Sequence, residues 1–137
     1  MTEKKNIAIV IPCYNESSML DLESYRMFSE ANSHINFCFV NDGSSDDTLE
    51  KLTQLKLNEA HVLDLEKNRG KAEAVREGVN YCLNNFDSDY IAFFDADLST
   101  PLEEVIFLSS ALQSDENLEM VFGSRFLKLG SRITRKR

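Results

Sequence analysis

The feature that most constrains this chain is a rhythm. Short, near-continuously apolar runs at 7–11, 35–40, 62–65, 90–94 and 120–122 alternate with segments of helical spacing. The runs are rich in β-branched and aromatic residues and carry almost no polar alternation. Strands of that kind are covered on both faces, as in a parallel sheet. Between them, Ala72, Val75, Val79, Cys82, Leu83 and Phe86 form one apolar stripe at helical spacing, and Leu49, Leu52 and Leu55 form a narrower one. A further helix is expected within 17–31. Thr100-Pro101-Leu102-Glu103 reads as a capping box, and Ser44-Ser45-Asp46-Asp47 loads another helix start with acceptors. The pattern βαβαβαβαβ predicts an α/β fold: a Rossmann-like, open, mostly parallel sheet with helices on both faces.

Composition narrows the class. A chain of 137 residues with 42% hydrophobic and 28% charged residues is long enough for one globular domain. The expected division is a domain over 1–128 and a basic tail over 129–137. Neither a secretory leader nor a membrane span is read, which places the protein in the cytoplasm. Cys13, Cys38 and Cys82 are scattered through apolar surroundings without a CxxC pair, and read as reduced core thiols. The net charge of −8 conceals an asymmetry, because six basic and no acidic residues lie between Arg125 and Arg137. An acidic body repels phosphate backbones and excludes nucleic acid as the main partner. The basic tail is either a solvated end or a peripheral contact with the inner face of a membrane.

In open parallel sheets, ligands bind beyond the carboxyl ends of the strands, and the polar clusters of this sequence fall there. Pro12-Cys13-Tyr14-Asn15-Glu16 follows the first strand, and Asn41-Asp42-Gly43-Ser44 the second. Taken alone, the first favours a turn with capping residues over a place where a nucleoside stacks and hydrogen-bonds, and the second reads equally as a capped turn or as an acceptor for base N–H groups. Asn68-Arg69-Gly70-Lys71 opens a helix with two cations around a glycine, which suits a phosphate. It is neither a Walker loop nor a GxGxxG fingerprint. After the fourth strand, Asp95-Ala96-Asp97 sets two carboxylates on the same side of an extended chain. Their repulsion is relieved by a hard divalent ion that shares its oxygen ligands with a diphosphate. An EF-hand is excluded, since Thr100 and Ile106 stand where Gly and Glu are required. Gly123-Ser124-Arg125 offers one more cation for a phosphate.

These five clusters, in this order and spacing, resemble family 2 glycosyltransferases of the GT-A fold over residues 7–128. The stretch Asp97-Leu98-Ser99-Thr100-Pro101 is most similar to the dolichyl- and polyprenyl-phosphate sugar synthase branch. The resemblance implies transfer of a sugar from a UDP- or GDP-linked donor to a polyprenyl phosphate or a glycan, with inversion. It implies that Pro12, Tyr14, Glu16 and Asp42 contact the nucleoside, and that Asn68, Arg69 and Lys71 lie along the nucleotide. Asp95, Ala96 and Asp97 would meet the diphosphate, with Asp95 and Asp97 holding Mg2+ or Mn2+. Asp97 and Arg125 would act at the reacting centre. Relatives of this family run on past the point where this sequence stops, so a truncated, donor-binding piece is expected. Two rivals were weighed: a nucleotide-sugar-binding module without turnover, and a phosphatase with an aspartyl nucleophile at Asp95. The phosphatase lacks the later lysine and acidic pair that its chemistry needs.

Overall fold

The computed structural model describes residues 3–55 and 60–124. The chain falls into two compact units, one ending at Leu102 and the other beginning at Glu103. The first contains the sheet. Its elements are β1 (Ile7–Cys13), α1 (Leu22–Ala31), β2 (Ile35–Asp42), α2 (Thr48–Gln54), β3 (Ala60–Leu65), α3 (Lys71–Asn85) and β4 (Tyr90–Phe93). The second contains α4 (Glu104–Ser114).

All four strands are parallel, in the order β3-β2-β1-β4. The chain therefore builds outward from β1 through β2 to β3, then returns to lay β4 on the other side of β1. That reversal makes a topological switch point between β1 and β4, where the loops leaving the two strands diverge and open a crevice. β1 is buried along its whole length and β2 at seven of its eight positions, as near-continuous apolar runs require.

The two faces of the sheet are packed differently. On one face Ala8, Val10, Cys38 and Val40 meet Ala74 and Cys82 of α3. The approach is so close that a Cβ on Gly78 would stand 2.4 Å from Val10 Cγ1 and 2.9 Å from Val40 Cγ2. Small side chains stand at the closest approach, and the expected stripe holds in part: Cys82 is buried there, and Val79 and Phe86 pack against the same cluster. Ala74, Gly78 and Cys82 face the sheet, while Ala72 and Leu83 are exposed. On the other face, Tyr25 of α1 packs edge-on against Phe37 and Phe39, with ring centroids 5.5 and 5.1 Å away. Phe28 joins the same cluster. Fully burying one such ring contributes about 1.5–3 kcal/mol, so these aromatics dominate this half of the core.

Several boundaries differ from the sequence reading. Pro12 does not end β1; the strand runs on to Cys13, with Pro12 opposite Val40. β4 pairs only as far as Val10, so a missing N–H at Pro12 falls where that neighbour has already left. The helix expected within 17–31 starts at Leu22, where Asp21 caps it by accepting from the Ser24 N–H at 3.1 Å. Helix α4 starts at Glu104 rather than at the Thr100 capping box, because Leu102 and Glu103 form a turn first. Residues 120–122 form no strand: no pairing reaches them, and Met120 and Phe122 are exposed. An apolar run becomes a strand only where a neighbour supplies the ladder. The basic tail over 129–137 lies outside the described residues, and among the described residues no helix is long and apolar enough to cross a membrane. The three cysteines are free and buried, as expected.

Candidate active site

The loops beyond β1 and β2 are tied into one framework. Asn15 adopts φ 51°, a left-handed conformation that asparagine tolerates better than most residues. From there its side-chain oxygen accepts from the Ser45 N–H at 2.8 Å and the Asp46 N–H at 3.3 Å, while its own N–H donates to Ser44 Oγ. One residue on, the Glu16 N–H donates to Thr48 Oγ1 at 2.9 Å, and the Thr48 hydroxyl donates to Asp46 Oδ1. The backbone that carries Tyr14 and Glu16 is thus fixed by the start of α2.

A second tie joins β2 to the start of α3. Asp42 is 2% exposed, and its two carboxylate oxygens accept from the Arg69 N–H at 2.8 Å and the Gly70 N–H at 2.9 Å. The Asn68 side-chain amide donates to the Asp42 carbonyl. Gly43 makes the approach possible, since a Cβ there would lie 2.3 Å from the Asn68 nitrogen, at a φ of +63°. Asp42 therefore shapes the Asn68-Arg69-Gly70-Lys71 turn. Arg69 and Lys71 are exposed on it.

Across the switch point, the Phe94 N–H donates to the Val10 carbonyl at 3.0 Å, and the chain then leaves the sheet. Ala96 is buried, Asp95 half-buried and Asp97 exposed. Asp97 Oδ1 accepts from the Ser99 N–H at 2.9 Å, and Leu98 between them sits at φ 54°. The Tyr25 hydroxyl donates to the Ala96 carbonyl at 3.1 Å from beneath. Burial, together with the charges of Cys13, Asp97 and Glu16, pushes the Tyr25 phenol up, so its proton stays in place. The Lys71 ammonium pairs with Asp95.

The crevice is acidic. Burial raises the Glu16 carboxyl above its ordinary value, and Asp97, Asp95 and Asp46 push it in the same direction, against Lys71. Three carboxylates from β1 and β4 thus feel one another, with Lys71 as the counter-charge from α3. Burial and Glu16 push the neighbouring Cys13 thiol up to about 12, so it is no nucleophile. Among the described residues, no group of three or more Asp, Glu, His or Cys side chains is placed to hold a metal by itself. Hard divalent ions that bind nucleotides commonly take one or two carboxylates and complete their shell with phosphate oxygens and water. Asp95 and Asp97, both oxygen donors at an open strand end, fit that open arrangement.

Of the residues singled out in the sequence, the structure brings Glu16, Asp95, Asp97 and Lys71 within electrostatic range of one another, with Ala96 buried between the two aspartates and Pro12 within β1. Tyr14 stands at its lip, 49% exposed. Asp42, Asn68 and Arg69 meet in the adjoining tie. Arg125 lies outside the described residues. The residues that sequence reasoning left out are the ties themselves: Asn15 as an acceptor, Ser44, Thr48 and Tyr25.

The fold and site together define an α/β protein with acidic side chains gathered at its sheet switch point. The chain belongs to glycosyl transferase family 2, whose family model matches residues 8–132. It is 28% identical over 135 residues to the poly-beta-1,6-N-acetyl-D-glucosamine synthase of Staphylococcus aureus, which covers 98% of this chain and 32% of that protein. The chain thus spans about a third of the length of this relative. The fold is that of GT-A glycosyltransferases. A mannosyltransferase from Pyrobaculum calidifontis in complex with GDP-Man and Mn2+ superposes with a TM-score of 0.64 at 18% identity, over 83% of this chain and 34% of that one. Glucosyl-3-phosphoglycerate synthase from Mycobacterium tuberculosis, in complex with Mn2+, UDP and glucosyl-3-phosphoglycerate, gives 0.62 at 23% identity, over 82% and 41%.

Proposed function

We propose that this chain binds the donor of a sugar-transfer reaction, a nucleoside diphosphate sugar, in the crevice between β1 and β4. The observation that carries the reading is the convergence of Glu16, Asp95 and Asp97 with Lys71 at the switch point of a GT-A sheet. Membership of the family and the nucleotide and Mn2+ complexes of the two structural neighbours support it.

In this reading the acceptor oxygen attacks the anomeric carbon from the side opposite the diphosphate, and the bond to the diphosphate breaks with inversion. When bound, Mg2+ or Mn2+ held by Asp95 and Asp97 supplies Lewis-acid stabilisation of the diphosphate charge. Lys71 places a second positive charge beside Asp95, where the leaving group's charge develops. Arg69 and the turn shaped by Asp42 line the nucleotide's path, and Tyr14 offers an exposed ring at the lip for stacking on the base. Glu16, held half-buried near the carboxylate pair, accepts from ribose hydroxyls.

The printed name of the Staphylococcus relative, a polysaccharide synthase, supports a glycan hydroxyl as the acceptor. A polyprenyl-phosphate acceptor rests on the Asp97-Leu98-Ser99-Thr100-Pro101 segment alone. The two differ chemically, because a hydroxyl needs a base to take its proton and a phosphate is already ionised. Calorimetric titration with UDP- and GDP-linked sugars, with and without Mn2+, tests the donor reading. Donor binding that depends on the ion is expected, and equal binding in a chelator would contradict it.

A further inference from the structure

Tyr25 lies on α1, away from the loops that carry the clusters recognised in the sequence, yet its hydroxyl reaches the backbone between Asp95 and Asp97. Its ring packs edge-on against the stacked pair Phe37 and Phe39 and is fully buried. A phenol in such a place must find an acceptor, since an unsatisfied buried hydroxyl is costly. A phenylalanine would fill the same space without that demand. The acceptor it finds is the carbonyl of Ala96, 3.1 Å away and 71 positions along the chain, in the middle of the carboxylate pair.

The segment it holds has left the ladder of the sheet. After the Phe94 N–H bond to Val10, the chain turns, and two residues beyond Ala96 Leu98 takes a left-handed φ of 54°. A branched apolar residue adopts that conformation only where its surroundings over-determine it. The Ser99 N–H on Asp97 Oδ1 is internal to the turn and cannot set its position relative to the sheet. The Lys71–Asp95 ion pair reaches the turn through two partly exposed side chains, which hold a position weakly. The Tyr25 hydroxyl on the Ala96 carbonyl ties the turn's backbone to the buried aromatic core.

We infer that Tyr25 is a positioning residue, whose hydroxyl fixes the Asp95-Ala96-Asp97 turn so that both carboxylates face the crevice. Its consequence for ion binding rests on the donor-site reading above, but the positioning itself does not. Tyr25→Phe removes one oxygen and keeps the ring against Phe37 and Phe39, so the fold is retained.

Two measurements on the full chain separate the possibilities. In the ligand-free protein, amide exchange at Ser99 and its neighbours in the turn should quicken roughly fivefold to tenfold in Tyr25→Phe. Exchange at core amides such as Cys38 should stay unchanged. In calorimetry, Mn2+-dependent binding of UDP or GDP should weaken by a similar factor, while binding in a chelator is the same in both proteins. Unchanged exchange in the turn overturns the inference. A uniform rise that includes Cys38 also overturns it, because the hydroxyl would then serve global stability only. Faster exchange confined to the turn, in a protein whose wild type shows no ion-dependent binding, supports the positioning and defeats the donor-site reading instead.

Discussion

The two rims of the crevice are built on opposite principles. On the β1–β2 side, polar side chains are spent on the backbone: Asn15, Asp46 and Thr48 bind one another's loops, and Asp42 is buried on the Arg69 and Gly70 amides. On the β4 side, Asp95 is half-buried and Asp97 exposed, at close enough range to raise the Glu16 carboxyl. One rim has its hydrogen bonds made before any ligand arrives. The other keeps like charges together, which costs free energy unless a cation joins them. An acidic motif alone therefore does not say which role a carboxylate plays; burial and partners do. Asp42 and Asp95 both follow a parallel strand, and only the structure separates them.

The largest effect should come from breaking the made rim. Asp42→Ala strands two N–H donors and should lower stability by about 3 kcal/mol, read from urea unfolding. It should do so without nucleotide or metal present. An unfolding midpoint like that of wild type would return Asp42 to a purely ligand-facing role. Gly43→Ala attacks the same tie from the backbone, combining a positive φ with a clash on Asn68. A loss of about 2 kcal/mol is expected in the same assay.

The open rim should behave in reverse. Asp95→Asn removes a partly exposed ion pair with Lys71 and should change stability by less than about 1 kcal/mol. Mn2+-dependent nucleotide binding should nonetheless fall by at least about tenfold, as loss of one ligand charge implies. Unchanged affinity in calorimetry would remove Asp95 from the site.

The smallest effect is one of pH. A carboxyl whose pKa is higher in the folded chain binds protons more tightly there than when unfolded. Its cost to stability is absent well below the ordinary value of 4.5 and develops as pH rises through the window above it. Glu16→Gln should therefore unfold at a slightly higher temperature than wild type near neutral pH. At pH 4 the two should coincide, and added Mn2+ should narrow the neutral-pH gap. A variant less stable at neutral pH would reverse the sign of the argument.

Much of the fold was legible in the sequence, but the contrast between the rims was not, for identifiable reasons. The parallel sheet followed from apolar runs such as 7–11 and 35–40, because burial on both faces leaves no room for polar alternation. The Asp95/Asp97 pair was read from a two-residue spacing in an extended chain, whereas the strand ends at Phe93 and Ala96 and Asp97 lie in a turn. What failed depended on partners remote in sequence. Residues 120–122 have strand composition but no ladder, and the stripe on α3 held only in part, because close packing put Ala74 and Gly78 beside Cys82 against the sheet. The tie between Tyr25 and Ala96 spans 71 positions and leaves no local trace.

If a divalent ion and a nucleoside diphosphate meet at the strand ends of β1 and β4, substoichiometric Mn2+ in the presence of UDP or GDP will broaden backbone amide signals there. Signals of Glu16, Asp95, Ala96, Asp97 and Lys71 should vanish first, while those of Asn41 and the start of α2 persist longer. Broadening that begins at the exposed acidic residues of α1, or that is the same without nucleotide, would contradict that meeting.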